Sequence, residues 1–469
     1  MADRFPEAHP YLSRGFAPIR FECDYADVPV EGDVPRALCG TFYRIGPNPQ
    51  YAPRGEYNPL QGDGMIHAFR ITDGRVSYRN RWVRTQQWTR ERTAGRALFA
   101  TSGNPRDADA SVRGAATDGV ANTNVVWHAG RLLALEQGHA PIDIEPDTLA
   151  TVGGWSFDGD LPANMTAHPK IDPETGEMVF FANFPGRDFS GALDVFVVDA
   201  RGRIARRETI RGPFPALVHD FAIAGRFAVV AFCPVTVSIA RLRAGGPPLA
   251  WEPDLGTAVA VVDLERAGDV RWFTGPARMA WHTANAQFDG DAIVLDVCEQ
   301  TAPAFPLADG TMPTERLLEQ RLSRWTLDLS GSGAFVPMRQ SEVVCEYPRI
   351  DERRLGRAYR FCFVATGGGP GTADPFHRAL GRFDHATGAV SVFHAGARCA
   401  VSEPTFVARS AGAAEGEGYL LATIYDEERN ASCLAVLDAE RLEEGPIARA
   451  HLDHRVPVGF HGAWRAAPA

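Results

Sequence analysis

Short apolar runs rich in β-branched and aromatic residues recur along the whole chain, each closed by a Gly, Asp or Asn turn. That pattern predicts consecutive antiparallel hairpins. Phe69 to Thr72, the turn Asp73-Gly74 and Arg75 to Tyr78 show it in its shortest form, because Asp-Gly supplies the positive φ that a type I′ turn demands. Comparable hairpins are expected over Val125 to Leu135 around Ala129-Gly130, His168 to Phe181 around Glu174-Thr175-Gly176, and Val195 to Ile204 around Arg201-Gly202. Later ones are expected over Phe221 to Phe232, Phe288 to Val297, Phe383 to Phe393 and Tyr419 to Leu437. Helical periodicity is sparse. The most apolar stretch, Phe227 to Ala240, is interrupted by Pro234 and reads as buried strand. No run reaches the roughly 18 apolar residues that span a bilayer.

Evenly spread hairpins without a long helical block predict an all-β architecture built by radial repetition of small sheets, a β-propeller occupying residues 1–469 as one domain. The repeats are not self-similar in sequence, so the pattern leaves the blade number open. Ile45 to Leu60, Ala302 to Pro313 and Gly367 to Pro375 are longer than hairpin turns and are expected to form a cap over one face, where function usually resides.

Composition narrows the class. With 45% hydrophobic and 23% charged residues, the 469-residue chain can bury a large core. Its net charge is −10, and no Lys/Arg cluster carries interleaved aromatics, which argues against a nucleic-acid partner. Eight cysteines without a C-x-x-C pair exclude a zinc ribbon and a dithiol redox motif; several sit in apolar runs and read as buried thiols. The first twenty residues hold no apolar core of signal-peptide length, so a cytoplasmic location is expected.

Of thirteen histidines, four stand at the edge of strand-like apolar runs: His168 in Thr166-Ala167-His168-Pro169, His219 in Leu217-Val218-His219-Asp220-Phe221, His282 in Ala280-Trp281-His282-Thr283, and His461 in Gly459-Phe460-His461-Gly462. Their separation rules out a local finger, so a shared ion requires the fold to bring them together; spacing alone does not prove that it does. His67 is expected to be structural. The other eight, His9, His128, His139, His377, His385, His394, His451 and His454, lie in turns or polar stretches and are expected to face solvent.

The chain resembles the carotenoid cleavage oxygenases, a family that includes stilbene-cleaving and isoeugenol-cleaving enzymes and the vertebrate retinoid isomerase. The resemblance runs from Gly40-Thr41-Phe42-Tyr43-Arg44-Ile45-Gly46-Pro47-Asn48-Pro49 to Gly459-Phe460-His461-Gly462. Between these lie Gly62-Asp63-Gly64-Met65-Ile66-His67, Thr166-Ala167-His168-Pro169-Lys170, His219-Asp220-Phe221, Glu346-Tyr347-Pro348-Arg349-Ile350-Asp351 and Ser402-Glu403-Pro404.

The resemblance implies a seven-bladed propeller with a loop and helix cap, and Fe(2+) held by His168, His219, His282 and His461. It implies that O2 and a conjugated alkene meet at that iron and that the C=C bond is split into two carbonyl products, without nicotinamide or flavin. No Rossmann fingerprint, P-loop, G-x-S-x-G or H-E-x-x-H occurs, and Gly367-Gly368-Gly369-Pro370-Gly371 lacks the Lys-Ser/Thr of a phosphate loop. Four neutral imidazoles suit iron, but with no anionic ligand their orientation has to come from carboxylates behind them. Glu346 and Glu403 match such positions. A third aligns with Gln137, where the family commonly has glutamate; its carbonyl can accept the same bond, and the neighbouring Glu136 is the alternative. Thr123 matches a position near the open coordination site and Phe305 a pocket-lining aromatic.

Relatives that cleave hydroxystilbenes or isoeugenol hold the phenol oxygen with a tyrosine and a lysine, which correspond here to Ser102 and Glu136. A serine is too short and an anionic carboxylate opposes a phenolate, so the sequence favours a carotenoid, apocarotenoid or other extended apolar alkene, with a stilbene or phenylpropene as the alternative. An apolar substrate drawn from a membrane predicts a hydrophobic rim for peripheral membrane contact. Oligomeric state is not legible. Two rivals stand beside this reading: a non-oxidative isomerase on the same iron site, and a propeller that binds a partner with a structural metal or none.

Overall fold

In a computed structural model of the protein, Asp73 and Gly74 adopt φ of 50° and 76°. The hairpin they close pairs Gly64–Thr72 with Arg75–Trp82 in unbroken register from Met65 opposite Trp82 to Thr72 opposite Arg75. Ala129 and Gly130 do the same between Asn124–His128 and Arg131–Leu135. The structure describes residues 4–467 apart from 7, 103, 162–163, 186–188, 314–317 and 370–373; the Pro370-Gly371 part of the glycine-rich loop therefore lies outside the described residues.

The chain divides into two compact units: Met1–Leu161 with Ala395–Ala413 and Glu417–Ala469, and Pro162–His394 with Ala414–Gly416. In the first unit, one sheet runs in the order Asp24–Tyr25, Arg75–Trp82, Gly64–Thr72, Gly40–Pro47, Gly462–Ala466. A second contains Asn124–His128, Arg131–Leu135, Ile142–Ile144 and Thr151–Gly154, and a third is centred on Gly418–Asp426 and Ala431–Asp438. The strand Gly40–Pro47 is buried on both faces. Its Phe42 packs with Phe69, Leu421, Leu434 and Val436, whereas its Tyr43 and Ile45 pack with Val125, Leu132 and Ala134. Sheets stacked on both sides explain why its sequence is nearly all apolar rather than alternating.

The second unit repeats the arrangement. One four-stranded sheet is built on Met178–Asn183 and Ala192–Val198, another on Phe227–Phe232 and Thr257–Asp263. Phe181, Val195 and Val197 pack against Ala228, Val230 and Ala260, and the opposite face of that second sheet, through Val229, Val259 and Val261, meets Leu295, Val297 and Trp325. Each fully buried large side chain of this kind contributes about 1.5–3 kcal/mol. The remaining sheet has seven strands because Pro337–Ile350 is shared: its first part pairs with Arg321–Asp328 and its second with Phe361–Thr366.

Three expectations need correction. Phe227 to Ala240 is not one strand: the chain leaves the sheet after Phe232, forms a short strand Val235–Val237 beyond Pro234, and enters the five-residue helix Ile239–Arg243. Of the eight histidines expected to face solvent only His394 is exposed: His128 and His377 are buried and His9, His139, His385, His451 and His454 are half-buried, because residues distant in the chain pack over them. The loop expected over Ile45 to Leu60 begins as strand through Pro47. His67 is structural as expected: it is buried, and its Nδ1 lies 2.7 Å from the Tyr78 hydroxyl. Cys233, Cys298, Cys345, Cys362 and Cys433 are buried thiols. Among the described residues, no helix is long and apolar enough to cross a membrane.

Candidate metal centre

Three of the four singled-out histidines meet in the second unit. His168 is separated by Pro169 alone from the edge strand Lys170–Ile171, His219 leads into Ala222–Ala224, and His282 lies within Met279–Phe288. That strand shifts register on either side of His282 and Thr283, a bulge of the kind that re-aims a side chain out of the ladder. One ligand atom from each imidazole lies within 4.8 Å of the others. His168 Nε2 and His219 Nε2 are 3.1 Å apart. Imidazole nitrogens bind divalent first-row ions at about 2.0–2.1 Å, so two of them at right angles around one ion stand about 3 Å apart. The donor set is all-imidazole, which suits iron.

His282 is oriented from behind. Its Nδ1 donates to Glu346 Oε2 at 2.7 Å, which leaves Nε2 for the centre. Glu346 is buried and sits at another register shift, where the following Tyr347 takes φ 54° and donates its backbone N–H to the same carboxylate oxygen. Tyr347 stacks on the His282 ring at 5.5 Å, Trp281 meets His219 edge-on at 5.2 Å, and Phe305 packs on Trp281 at 6.0 Å. These rings give the histidine cluster an apolar flank. His377 meets Tyr347 edge-on at 5.6 Å, and burial pushes its imidazole down to about 4.

His461 belongs to the first unit. Its backbone N–H donates to the carbonyl of Thr123 at 3.2 Å, and its Nδ1 donates to Glu403 Oε1 at 2.9 Å. Glu403 Oε2 accepts from Gly462 N at 3.0 Å and from Arg44 Nη1 at 3.1 Å, and Arg44 reaches the Phe460 carbonyl at 2.7 Å. Arg44, Glu403 and His461 are all buried. The pairing of Gly462–Ala466 with Gly40–Pro47, Arg44 opposite Gly462, brings the three together.

The remaining candidates have other partners. Glu136 binds His139 through Oε1 and accepts Val120 N through Oε2 at 2.8 Å; Gln137 beside it is half-buried. The Ser102 hydroxyl donates to Asp107. Sequence reasoning passed over Arg44, Lys170 and Asp220, although each lies inside a quoted segment. A charged residue embedded in an apolar strand edge was the available signal, since such groups are buried only when paired.

The whole chain matches known proteins. The family model of retinal pigment epithelial membrane protein matches residues 16–466. The chain belongs to the carotenoid cleavage oxygenase family. It is 34% identical to isoeugenol monooxygenase of Pseudomonas nitroreducens, over 98% of both proteins. It is 37% identical to lignostilbene-α,β-dioxygenase isozyme III of Sphingomonas paucimobilis, over 95% of each. Among solved structures, the lignostilbene dioxygenase of Pseudomonas brassicacearum superposes with a TM-score of 0.93 at 35% identity, covering 99% of this chain and all of that one. As a carotenoid cleavage oxygenase the chain is an oxidoreductase of the oxygenase type, from a family of non-haem iron enzymes.

Proposed function

We propose that this carotenoid cleavage oxygenase uses Fe(2+) and O2 to split the C=C bond of a conjugated alkene into two carbonyl products. Its ligands are His168, His219 and His282, with His461 as the fourth by family resemblance. The observation that carries the reading is the cluster of three imidazoles within 4.8 Å, one of them fixed by a buried carboxylate. Among the described residues, three sheets in one unit, and in the other two four-stranded sheets and a seven-stranded one split by a shared strand, beside the two-stranded pair Val235–Val237 and Leu249–Trp251, support a seven-bladed propeller over residues 1–469. The long loops and the helix Gln86–Ala94 form its cap.

Bound iron supplies the activation of dioxygen; the chain's own residues orient and enclose. Glu346 keeps the Nδ1 proton of His282 in place, so Nε2 is the basic nitrogen. Glu403 does the same for His461, and Arg44 offsets its charge. By family resemblance, Gln137 or Glu136 supports a third histidine and Thr123 stands near the open coordination position. Trp281, Phe305 and Tyr347 present apolar faces to an unsaturated substrate and exclude water.

An aryl alkene of the phenylpropene or stilbene type is the leading substrate class, because isoeugenol monooxygenase and lignostilbene dioxygenase are each more than a third identical to the chain over nearly all of it. An apocarotenoid is the second reading. It is favoured by Ser102 and Glu136, which replace a phenol-holding pair and are engaged by Asp107 and by His139 and Val120. The test is reconstitution with iron under anaerobic conditions, then exposure to labelled dioxygen with phenylpropenes, stilbenes, apocarotenals and carotenoids. Label in paired carbonyl products is expected. Unlabelled isomerised product, or protein that takes up no iron, sinks the proposal.

A further inference from the structure

Lys170, Asp220 and Thr283 follow closely on His168, His219 and His282 in the chain, and one carboxylate joins all three. Lys170 Nζ donates to Asp220 Oδ1 at 2.8 Å. Thr283 donates to Asp220 Oδ2 twice, from its backbone N at 2.8 Å and its hydroxyl at 2.9 Å. That hydroxyl also stands 2.9 Å from the Phe221 carbonyl, and Phe221 N donates to Asp220 Oδ1 at 2.7 Å. A weaker tie supplements these: the Thr166 hydroxyl donates to the His219 carbonyl at 3.3 Å.

The three histidine-bearing segments belong to three different sheets, so no sheet ladder sets their mutual spacing. Asp220 is buried, and a carboxylate in that setting costs several kcal/mol unless it is paired and hydrogen-bonded. An apolar residue of the same size would pack at lower cost. What the carboxylate adds is direction: its two oxygens hold the Lys170 segment on one side and the Thr283 segment on the other.

We infer that Asp220 is a positioning residue that locks the three histidine segments to one another and so presets the ligand spacing for the metal. The inference rests on the reading of His168, His219 and His282 as ligands. The 3.1 Å separation of the His168 and His219 nitrogens is then a property of the protein scaffold rather than something the metal has to impose. Without the carboxylate, the metal has to pull the rings together at the expense of its own binding energy.

The test titrates cobalt(II), as a spectroscopic probe, into metal-free wild type, Asp220→Ala, Asp220→Asn and Thr283→Val. Asp296→Ala is the control, since it deletes an equally buried carboxylate, paired with Arg324 at 2.8 Å, in the same unit. Asp220→Ala is expected to weaken cobalt affinity roughly tenfold to a hundredfold and to change the ligand-field bands. Asp220→Asn, which keeps acceptors for Thr283, recovers part of the affinity. Thr283→Val removes the hydroxyl bond while keeping the backbone N–H bond to Asp220, so a smaller loss in the same direction is expected. Asp296→Ala is expected to lower Tm while leaving cobalt affinity unchanged. The inference is overturned if Asp220→Ala and Thr283→Val bind cobalt as wild type does, or if Asp296→Ala loses as much affinity as Asp220→Ala. Wild type that binds no cobalt instead overturns the metal-site reading itself.

Discussion

Glu346 accepts the Nδ1 proton of His282 at 2.7 Å, and both groups are largely withdrawn from solvent. A carboxylate there fixes the imidazole's tautomer and raises the basicity of its other nitrogen. Glu346→Gln preserves the shape but removes the charge, so iron or cobalt affinity is expected to fall roughly tenfold to a hundredfold. His282→Ala, which removes the donor itself, is expected to abolish iron binding and activity. Metal titration followed by activity measurement checks both. Wild-type affinity in Glu346→Gln would leave the hydrogen bond without a role at the centre.

Arg44 and Glu403 form a buried ion pair at 3.1 Å that also engages His461 and Gly462. Removing one partner leaves a charge with no compensation in a low-dielectric site. Arg44→Met is therefore expected to destabilise the protein by about 3–5 kcal/mol, read as a lowered denaturation midpoint. The double variant Arg44→Met/Glu403→Gln is expected to recover part of that loss, because neither charge is then stranded.

Gly46 and Gly459 pack backbone to backbone: a Cβ on Gly459 would stand 2.5 Å from the Ile45 carbonyl oxygen and 3.0 Å from Gly46 Cα. Gly459→Ala has to separate the strand Gly40–Pro47 from the segment leading into His461. A loss of about 1–3 kcal/mol is expected in denaturant unfolding. An unchanged midpoint would mean that the two segments separate freely.

Stability should peak near pH 6.5. Burial pushes His67 down to about 3 and His377 to about 4, so below pH 6.5 the unfolded chain binds protons that the native state does not. Stability accordingly falls as pH drops from 6.5 towards 4, by up to about 1.4 kcal/mol per pH unit for each histidine. Asp63 acts the other way. Burial, with Glu91 nearby, pushes its carboxyl up to about 8, so the native state retains a proton that the unfolded chain has lost. Above pH 6.5, where the histidines no longer contribute, stability therefore declines as pH rises to 8, and Asp63→Asn is expected to flatten that limb and to steepen the acid limb, where Asp63 opposes the histidines. Unfolding curves across pH 4–8 decide the matter.

Held by the proposed histidine ligands, iron would bind only the folded arrangement, so iron at a hundredfold excess over Kd is expected to add about 2.7 kcal/mol to stability, and chelation to remove it reversibly. Calorimetry with and without iron is the measurement. A Tm indifferent to iron would argue against the histidine cluster as its ligand set.

The hairpins were legible wherever turn chemistry was explicit, as at Asp73-Gly74, because two residues there dictate the backbone on their own. The histidine segments were legible because each interrupts an apolar run. The helix Gln86–Ala94 was not, although Thr85 caps its start and Gly95 ends it at φ 68°. It has no apolar stripe, and its polar residues hide the periodicity on which sequence reading depends. The burial of His377 and the bonds of Asp220 arise from residues distant in the chain, and no local pattern encodes them. The strand Pro337–Ile350 was missed for a related reason: its sharing between two strand groups is decided by neighbours, not by its own alternation.

Arg44 and Phe460 bond across a sequence separation of 416, and the strand Gly40–Pro47 that carries Arg44 stays unpaired along that edge until Gly462–Ala466 has been synthesised. A nascent chain therefore carries an open sheet margin for almost the whole of translation, inviting pairing with other chains. Closure over so long a span also predicts slow refolding from denaturant. Recombinant yield should depend more on temperature and chaperone supply during expression than on the stability of the finished protein.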